Sequence, residues 1–367
     1  MNVLWFTGRR FDNFCSTTQS ALANGIIEQG HHVHILNPDE QGSHSEKKWQ
    51  HTGFSLSSIP GLQSRKLSKE MKKWIQKKDL EEETVAIVDW RLLIHIHGEL
   101  EKKKIPWVLM DRSPPADPGI LSLLQWPVWK KSWKRVDKSN SAVGFTVSES
   151  HKKLVNTKTN TLLKKIQILP AGVDLELFCL GAKDDILTMV YHGRLDKHRG
   201  ILALPMLATK VIQSGLKIKL HLIGEGDCYS QLEELGQIHD YIEVQSNLEQ
   251  KKVAEILSKS HIGLLPMPDT KLWSIASPLK RSEYAASGML IFGINHTGHR
   301  FSGNQSMDWI KLVEQYDFHD DGIKWMKSLD STNLAKMAKS ARLFAEQNLS
   351  WNQPVETLVE ALKSQLN

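Results

Sequence analysis

SPLKRSEYAASG, residues 277–288, lies between two apolar runs, Ile262–Leu265 and Met289–Phe292, which read as buried strands. Ser277 suits an N-cap, Pro278 the first helical position, and Gly288 a natural stop. A helix opening there turns unpaired backbone N–H groups and its positive dipole end toward whatever sits above the sheet. Lys280 adds a cation in the first turn, and Glu283, about one turn further on, offers a carboxylate to hydroxyls. Phosphate at the helix tip with a sugar hydroxyl on the carboxylate is a way to hold a nucleoside diphosphate. The plainer alternative is a capped core helix with one exposed glutamate.

Outward from this segment the chain alternates strand and helix. Val3–Phe6, Val33–Leu36, Val85–Val88, Trp107–Met110 and Val143–Val147 are short apolar runs separated by helical stretches such as Ser16–Gln29. The pattern restarts with Leu187–Tyr191, Ile218–Ile223, Tyr241–Val244 and Ile262–Leu265. Such alternation predicts parallel sheets in two α/β units, with the switch between Asp174 and Asp185. Helical patterns near Leu334–Asn348 and Val355–Leu366 close the chain. Ligands of open α/β sheets bind at the carboxyl ends of the strands, so two facing units predict a site in the cleft between them.

Bulk properties agree with two ordinary domains: 367 residues and a net charge of +6. Cys15, Cys179 and Cys228 have neither CxxC spacing nor an even count, which points to reduced cysteines in a cytoplasm. MNVLWFTGRR starts directly as a strand without a signal-peptide pattern, and no apolar window approaches the ~18–20 residues of a membrane span. Charge is uneven. Residues 1–180 carry 26 Lys and Arg against 19 Asp and Glu, whereas the remainder carries 21 against 22.

Two segments concentrate the basic charge. Leu62–Lys78 sets Leu67, Met71, Trp74 and Ile75 at helical spacing among lysines. Leu124–Arg135 sets Trp126, Trp129 and Trp133 at i, i+3 and i+7 beside Lys130, Lys131 and Lys134. Tryptophan and lysine on one amphipathic surface suit an anionic membrane interface; the competing reading turns the tryptophans into the core. Nucleic acid fits less well, because the aromatics fall on helices rather than on an exposed sheet.

Four stretches in order resemble the family-4 glycosyltransferases over nearly the whole chain. ILPAGVDLELF (168–178) is similar to the family's hinge strand and turn, and YHGRLDKHRG (191–200) to its GRL…KG phosphate element. LIGEGDCYSQLEEL (222–235) is similar to its GxGP…L stretch, and SPLKRSEYAASG to its donor helix. The resemblance implies a GT-B fold, α/β with two Rossmann-like domains facing across a cleft. Residues 1–180 would form the acceptor side and 181–349 the donor side, with a helix near 350–367 packing back on the first. It implies that Arg194, Arg199 and Lys280 reach the donor diphosphate with Gly224, Ser277, Pro278 and Leu279 around them. Glu283 would bind ribose hydroxyls, and Gly8 would let the first domain approach the donor.

Three departures stand out, one of them Arg199 where the family has a lysine. Ile275 occupies the first position of the family's E-x7-E motif. Asp111 and Arg112 follow the strand after which the family often has a histidine; Asp111 would orient an acceptor hydroxyl, or else both residues form a loop salt bridge. The HTGH stretch, His296–His299, would lie near the donor sugar and resembles a metal pair only weakly. The implied activity is retaining transfer of a sugar from a UDP- or GDP-linked donor to a glycan or lipid-linked acceptor, in the cytoplasm or at the inner membrane face. No bound cofactor or metal is expected. The alternatives are a non-catalytic, membrane-associated partner subunit of the same fold and a nucleotide-sugar epimerase. Gln245–Leu248, near which such folds recognise a base, carries no readable code.

Overall fold

The computed structural model describes residues 1–11, 16–56, 62–80, 82–115, 120–246, 248–301 and 307–366. Cys15 and Asn247 lie outside them. Two compact units emerge, Met1–Pro170 with Trp351–Asn367, and Ala171–Ser350.

In the first unit the elements run β1 (Asn2–Phe6), α1 (Thr17–Glu28), β2 (His32–Asn37), β3 (Gln50–Gly53), α2 (Gln63–Lys77), β4 (Thr84–Asp89) and α3 (Trp90–Lys102). Then come β5 (Trp107–Met110), α4 (Ile120–Lys138), β6 (Gly144–Thr146), α5 (Glu149–Thr159) and β7 (Ile166–Ile168). The parallel sheet has the order β3-β2-β1-β4-β5-β6-β7. Its strands are apolar on both faces, and their period of two sorts them into two cores. Leu4, Phe6, Ala86, Val88 and Leu109 point to one, shared with α2, α3 and α4. Val3, Trp5, Val85, Ile87 and Val108 point to the other, shared with α1 and the last helix of the chain. That helix lies on α1 at Gly25, where a Cβ would stand 2.3 Å from Val355 Cγ2.

The second unit runs β8 (Leu187–His192), α6 (Ala203–Gln213), β9 (Ile218–Ile223), α7 (Tyr229–Ile238), β10 (Ile242–Gln245), α8 (Gln250–Lys259) and β11 (Ile262–Leu265). It continues with α9 (Lys271–Ser274), α10 (Leu279–Ala286), β12 (Leu290–Ile294), β13 (Ile310–Val313), α11 (Phe318–Lys327) and α12 (Ser331–Asn348), and α13 (Asn352–Ser364) returns to the first unit. Its sheet order is β10-β9-β8-β11-β12-β13, all parallel. Residues 171–180, read from sequence as part of the first domain, fall in the second unit. Val173 bridges Ser350 and Phe178 is buried in the second core, so packing draws the turn to that side.

In both sheets the chain reverses direction of winding once, between β1 and β4 and between β8 and β11. The carboxyl ends of those strand pairs are where doubly wound sheets leave a crevice for ligand.

The donor helix differs in detail from its sequence reading. α10 opens at Leu279, with Pro278 as N-cap in an extended conformation and no side-chain cap bond. Ser277 lies one residue outside and its Oγ accepts from Arg281 Nη2 at 3.3 Å. Pro278 cannot be the first helical residue because its ψ of 125° is extended. Gly288 does end the helix, with a left-handed φ of 61°.

Candidate active site

The second unit assembles its polar residues where its sheet reverses. β8 ends in His192, and the chain turns at Gly193 (φ 114°) into Arg194. β9 ends at Ile223 and turns at Gly224 (φ 138°), where a Cβ would sit 2.0 Å from the Gly193 carbonyl oxygen. A Cβ on Gly226 would meet the Leu195 backbone at 2.3 Å. The two glycine loops therefore stack against each other, and only glycine permits the approach.

Above them sits the start of α10. Lys280 is 8% exposed and its Nζ stands 3.8 Å from the centroid of the Tyr191 ring. A Cβ on Gly193 would lie 3.1 Å from that Nζ. Burial first, and the Arg199 charge second, push the Lys280 ammonium well below the usual lysine range, with Glu283 opposing. Glu283 Oε2 lies 3.1 Å from His192 Nε2, without hydrogen-bond alignment, so both atoms retain capacity for a ligand. The His192 ring packs edge-on against Tyr284 of the same helix at 5.4 Å.

Arginines frame this group. Arg194 forks onto Asp196, Nη2 to Oδ1 at 2.9 Å and Nε to Oδ2 at 3.2 Å, and is half exposed. Arg199 Nε lies 3.5 Å from Asp196 Oδ2, and its guanidinium covers Trp273 at 4.8 Å. His198 stacks on Trp273 at 5.9 Å and 12°. The HTGH stretch is bound into this wall: His296 Nε2 meets the Met267 carbonyl at 3.2 Å and His299 Nδ1 the Ile294 carbonyl at 2.7 Å. Arg281 Nη1 donates to the Gly298 carbonyl at 3.0 Å.

In the first unit, Thr7, Gly8 and Asp89 meet where that sheet reverses. Thr7 Oγ1 donates to Asp89 Oδ2, as does the Gly8 backbone N–H to the same carboxyl group. Burial pushes the Asp89 carboxyl up, against the Thr7 hydroxyl, the charges of Arg9 and Arg91, and the Gly8 N–H. Gly8 is exposed, its φ is not positive, and nothing lies within 4 Å of where its Cβ would be. Nothing in the unit itself thus requires glycine there. Arg112 Nη1 donates to the Leu169 carbonyl at 2.6 Å, and burial with Arg9 lowers it to about 9.

Two expectations fail here. Asp111 is fully buried; Trp129 Nε1 and Trp133 Nε1 donate to its Oδ2 at 2.6 and 2.8 Å, and His151 Nε2 lies at 3.2 Å. It is an internal anchor, closed to an acceptor hydroxyl. The same bonds bring Trp129 and Trp133 inside, so neither faces a membrane. A buried indole N–H needs an acceptor, and Asp111 satisfies both. Trp126 leans on Trp129 at 5.2 Å, and Trp74 packs on His34 and Phe6 at 5.3 and 6.3 Å. Lys130, Lys131 and Lys134 remain exposed.

Among the residues read from sequence, Gly224, Arg194, Arg199, Lys280 and Glu283 gather at the second unit's strand ends, with Ser277, Pro278 and Leu279 at the opening of α10. His192, Trp273 and Asp89 were missed. A polar residue closing an apolar run, as in MVYH and AIVD, is the signal that would have found His192 and Asp89.

A glycosyltransferase from Rickettsia africae ESF-5 superposes with a TM-score of 0.75 at 14% identity, covering 100% of this chain and 98% of that one. Sucrose-phosphate synthase from Thermosynechococcus elongatus gives 0.76 at 13% identity over 99% and 98%. Anabaena HepE, solved with UDP-glucose, gives 0.73 at 11% identity over 99% and 100%. The fold is GT-B. No protein-family model matches the chain, and no curated protein matches it by sequence. Within the second GT-B sheet, the features that can meet a diphosphate are a helix N-terminus, a buried lysine and two arginines, with a glutamate one turn further along the helix.

Proposed function

We propose that the chain is a retaining, family-4-type glycosyltransferase that moves a hexosyl group from a UDP- or GDP-linked sugar to a glycan or lipid-linked acceptor. The observation that carries this reading is the convergence of Lys280, Glu283 and His192 at the opening of α10, above the two stacked glycine loops. The α10 N–H groups and Lys280 would meet the diphosphate, with Arg194 and Arg199 turning to it from Asp196. Glu283 would accept the ribose hydroxyls, held in place by His192. That UDP-glucose occupies Anabaena HepE supports a nucleotide-sugar donor and puts UDP first.

In the transfer, the bond from the anomeric carbon to the β-phosphate oxygen breaks, and the acceptor oxygen bonds on the same face of the sugar. The acceptor's proton passes to the departing phosphate. The growing negative charge is stabilised by preorganised cations and N–H groups, so no side-chain nucleophile is required. The free thiols of Cys179 and Cys228 fit action in the cytoplasm. The exposed lysines of α4, beside Leu123 and Leu124 at 66% exposure each, support contact with an anionic membrane during cell-envelope or polysaccharide synthesis.

Calorimetric titration with UDP and GDP tests the reading. One nucleotide should bind, and Glu283→Ala should weaken it on the order of tenfold to a hundredfold, the scale of a lost charge-assisted hydrogen bond. Arg194→Ala should weaken it less, because half of that side chain is in water. A folded wild-type protein that binds neither nucleotide sinks the assignment. Ile275 and the sealed Asp111 favour a second reading, a subunit that binds donor without turnover. Donor binding with no sugar release or transfer across a panel of donors and acceptors would select it.

A further inference from the structure

Within the first unit, the segment from the end of β2 into β3 folds three ligand-type side chains together. Asp39, His44 and His51 each offer an atom within 4.8 Å of those of the other two. Asp39 is 3% exposed and His44 8%, and the two imidazoles meet edge to face at 4.9 Å.

The hydrogen bonds around them leave a surplus of acceptors. Asp39 Oδ2 accepts the Phe11 N–H at 2.8 Å and Asn37 Nδ2 at 2.6 Å, and meets His44 Nε2 at 2.7 Å. Asp39 Oδ1 is buried and has no partner among the described residues. The sense of the Asn37 amide is fixed, since its Nδ2 faces only acceptors, the Arg9 carbonyl and Asp39 Oδ2. Asn37 Oδ1 must then accept from His51 Nε2 at 2.8 Å, which puts the His51 proton on Nε2. In the neutral ring His51 Nδ1 is therefore a bare lone pair, and among the described residues it too is buried without a partner. Two buried electron pairs with no donor are costly, and a cation relieves both.

We propose that Asp39, His44 and His51 bind one divalent transition-metal ion of the Zn²⁺ type, departing from the sequence-based expectation of no metal. Two imidazoles and one carboxylate suit Zn²⁺ rather than the hard, all-oxygen preference of Mg²⁺ or Ca²⁺, and leave a fourth position for water. Binding uses the lone pair of His44 Nε2, so the proton of that neutral ring sits on Nδ1 in the metal-bound form. The ion's role is structural: Phe11 hangs on the same carboxylate and Arg9 on Asn37, so the site clamps the turn that follows β1 and carries Gly8.

The test uses the full chain without a histidine tag, stripped with chelator and titrated with Zn²⁺ against a chromogenic competitor. We expect one equivalent per chain, and visible d–d bands when Co²⁺ replaces Zn²⁺. His44→Gln and His51→Gln, each verified as folded by circular dichroism, should weaken Zn²⁺ at least about tenfold and lose the Co²⁺ bands. Substoichiometric Zn²⁺ in the wild type, or unchanged affinity in both folded variants, overturns the proposal and leaves a water donating to Asp39 Oδ1 and His51 Nδ1. UDP titration of the stripped protein is read separately, so failure of the metal site and failure of the donor reading are distinguishable.

Discussion

Lys280 shows what a single residue contributes and how it can be tested. Its ammonium lies under Tyr191 in a site that disfavours charge, and a diphosphate would restore that charge. A lysine whose pKa is lowered in the free protein and raised in the complex takes up a proton on binding. Affinity for UDP should therefore fall as pH climbs above the free-state value, with no dependence from this group below it. Calorimetry in buffers of different ionisation enthalpy should show proton uptake as the pH passes above that free-state value, absent in Lys280→Met. Equal uptake in that variant would rule out Lys280 as the phosphate partner. Lys280 and Glu283 were legible in sequence because both lie on one short helix with recognisable ends. His192 was not, since β9, β10 and β11 with their helices lie between it and Glu283 in the chain, and only folding brings β8 beside α10. Asp111 misled for the opposite reason: its position at a strand end read as open, but Trp129 and Trp133, more than a dozen residues on, close over it.

At the scale of elements, the apolar runs translated well into strands because parallel strands buried on both faces need unbroken apolar sequence. β3 (QHTG) and β13 (IKLV) escaped notice: each lies at the end of its sheet, where partial exposure relaxes that demand. The glycine loops give this scale its sharpest test. Gly224→Ala would place a methyl 2.0 Å from the Gly193 carbonyl in a φ that side chains rarely adopt. We expect a cost of about 1–3 kcal/mol from the backbone conformation alone. That should appear as a thermal midpoint lower by roughly 2–4 °C per kcal/mol, together with weakened nucleotide binding. A midpoint and affinity equal to wild type would mean that the two loops do not need to stack.

For the whole molecule, the uneven charge of the sequence survives as an exposed basic surface on α4, but its aromatic component does not. No described helix is long and apolar enough to cross a membrane. If the surface meets a bilayer, it does so through Lys130, Lys131 and Lys134 with Leu123 and Leu124. Cosedimentation with anionic vesicles should then be salt-sensitive and fall in a Lys130→Glu, Lys131→Glu, Lys134→Glu variant, with neutral vesicles left unbound. Trp129→Phe should leave vesicle binding unchanged and lower stability, by removing an indole donor from buried Asp111. The sequence by itself determined the alternation of strand and helix, the two parallel sheets and the short helix bearing Lys280 and Glu283. Each is written in local spacing, where burial on two faces and helix ends have a fixed period. Tertiary structure alone decided which unit takes residues 171–180, that Trp129 and Trp133 turn inward onto Asp111, and that Asp39, His44 and His51 meet. Those outcomes depend on which distant atoms are left to satisfy a buried charge or N–H, and no local pattern carries that information.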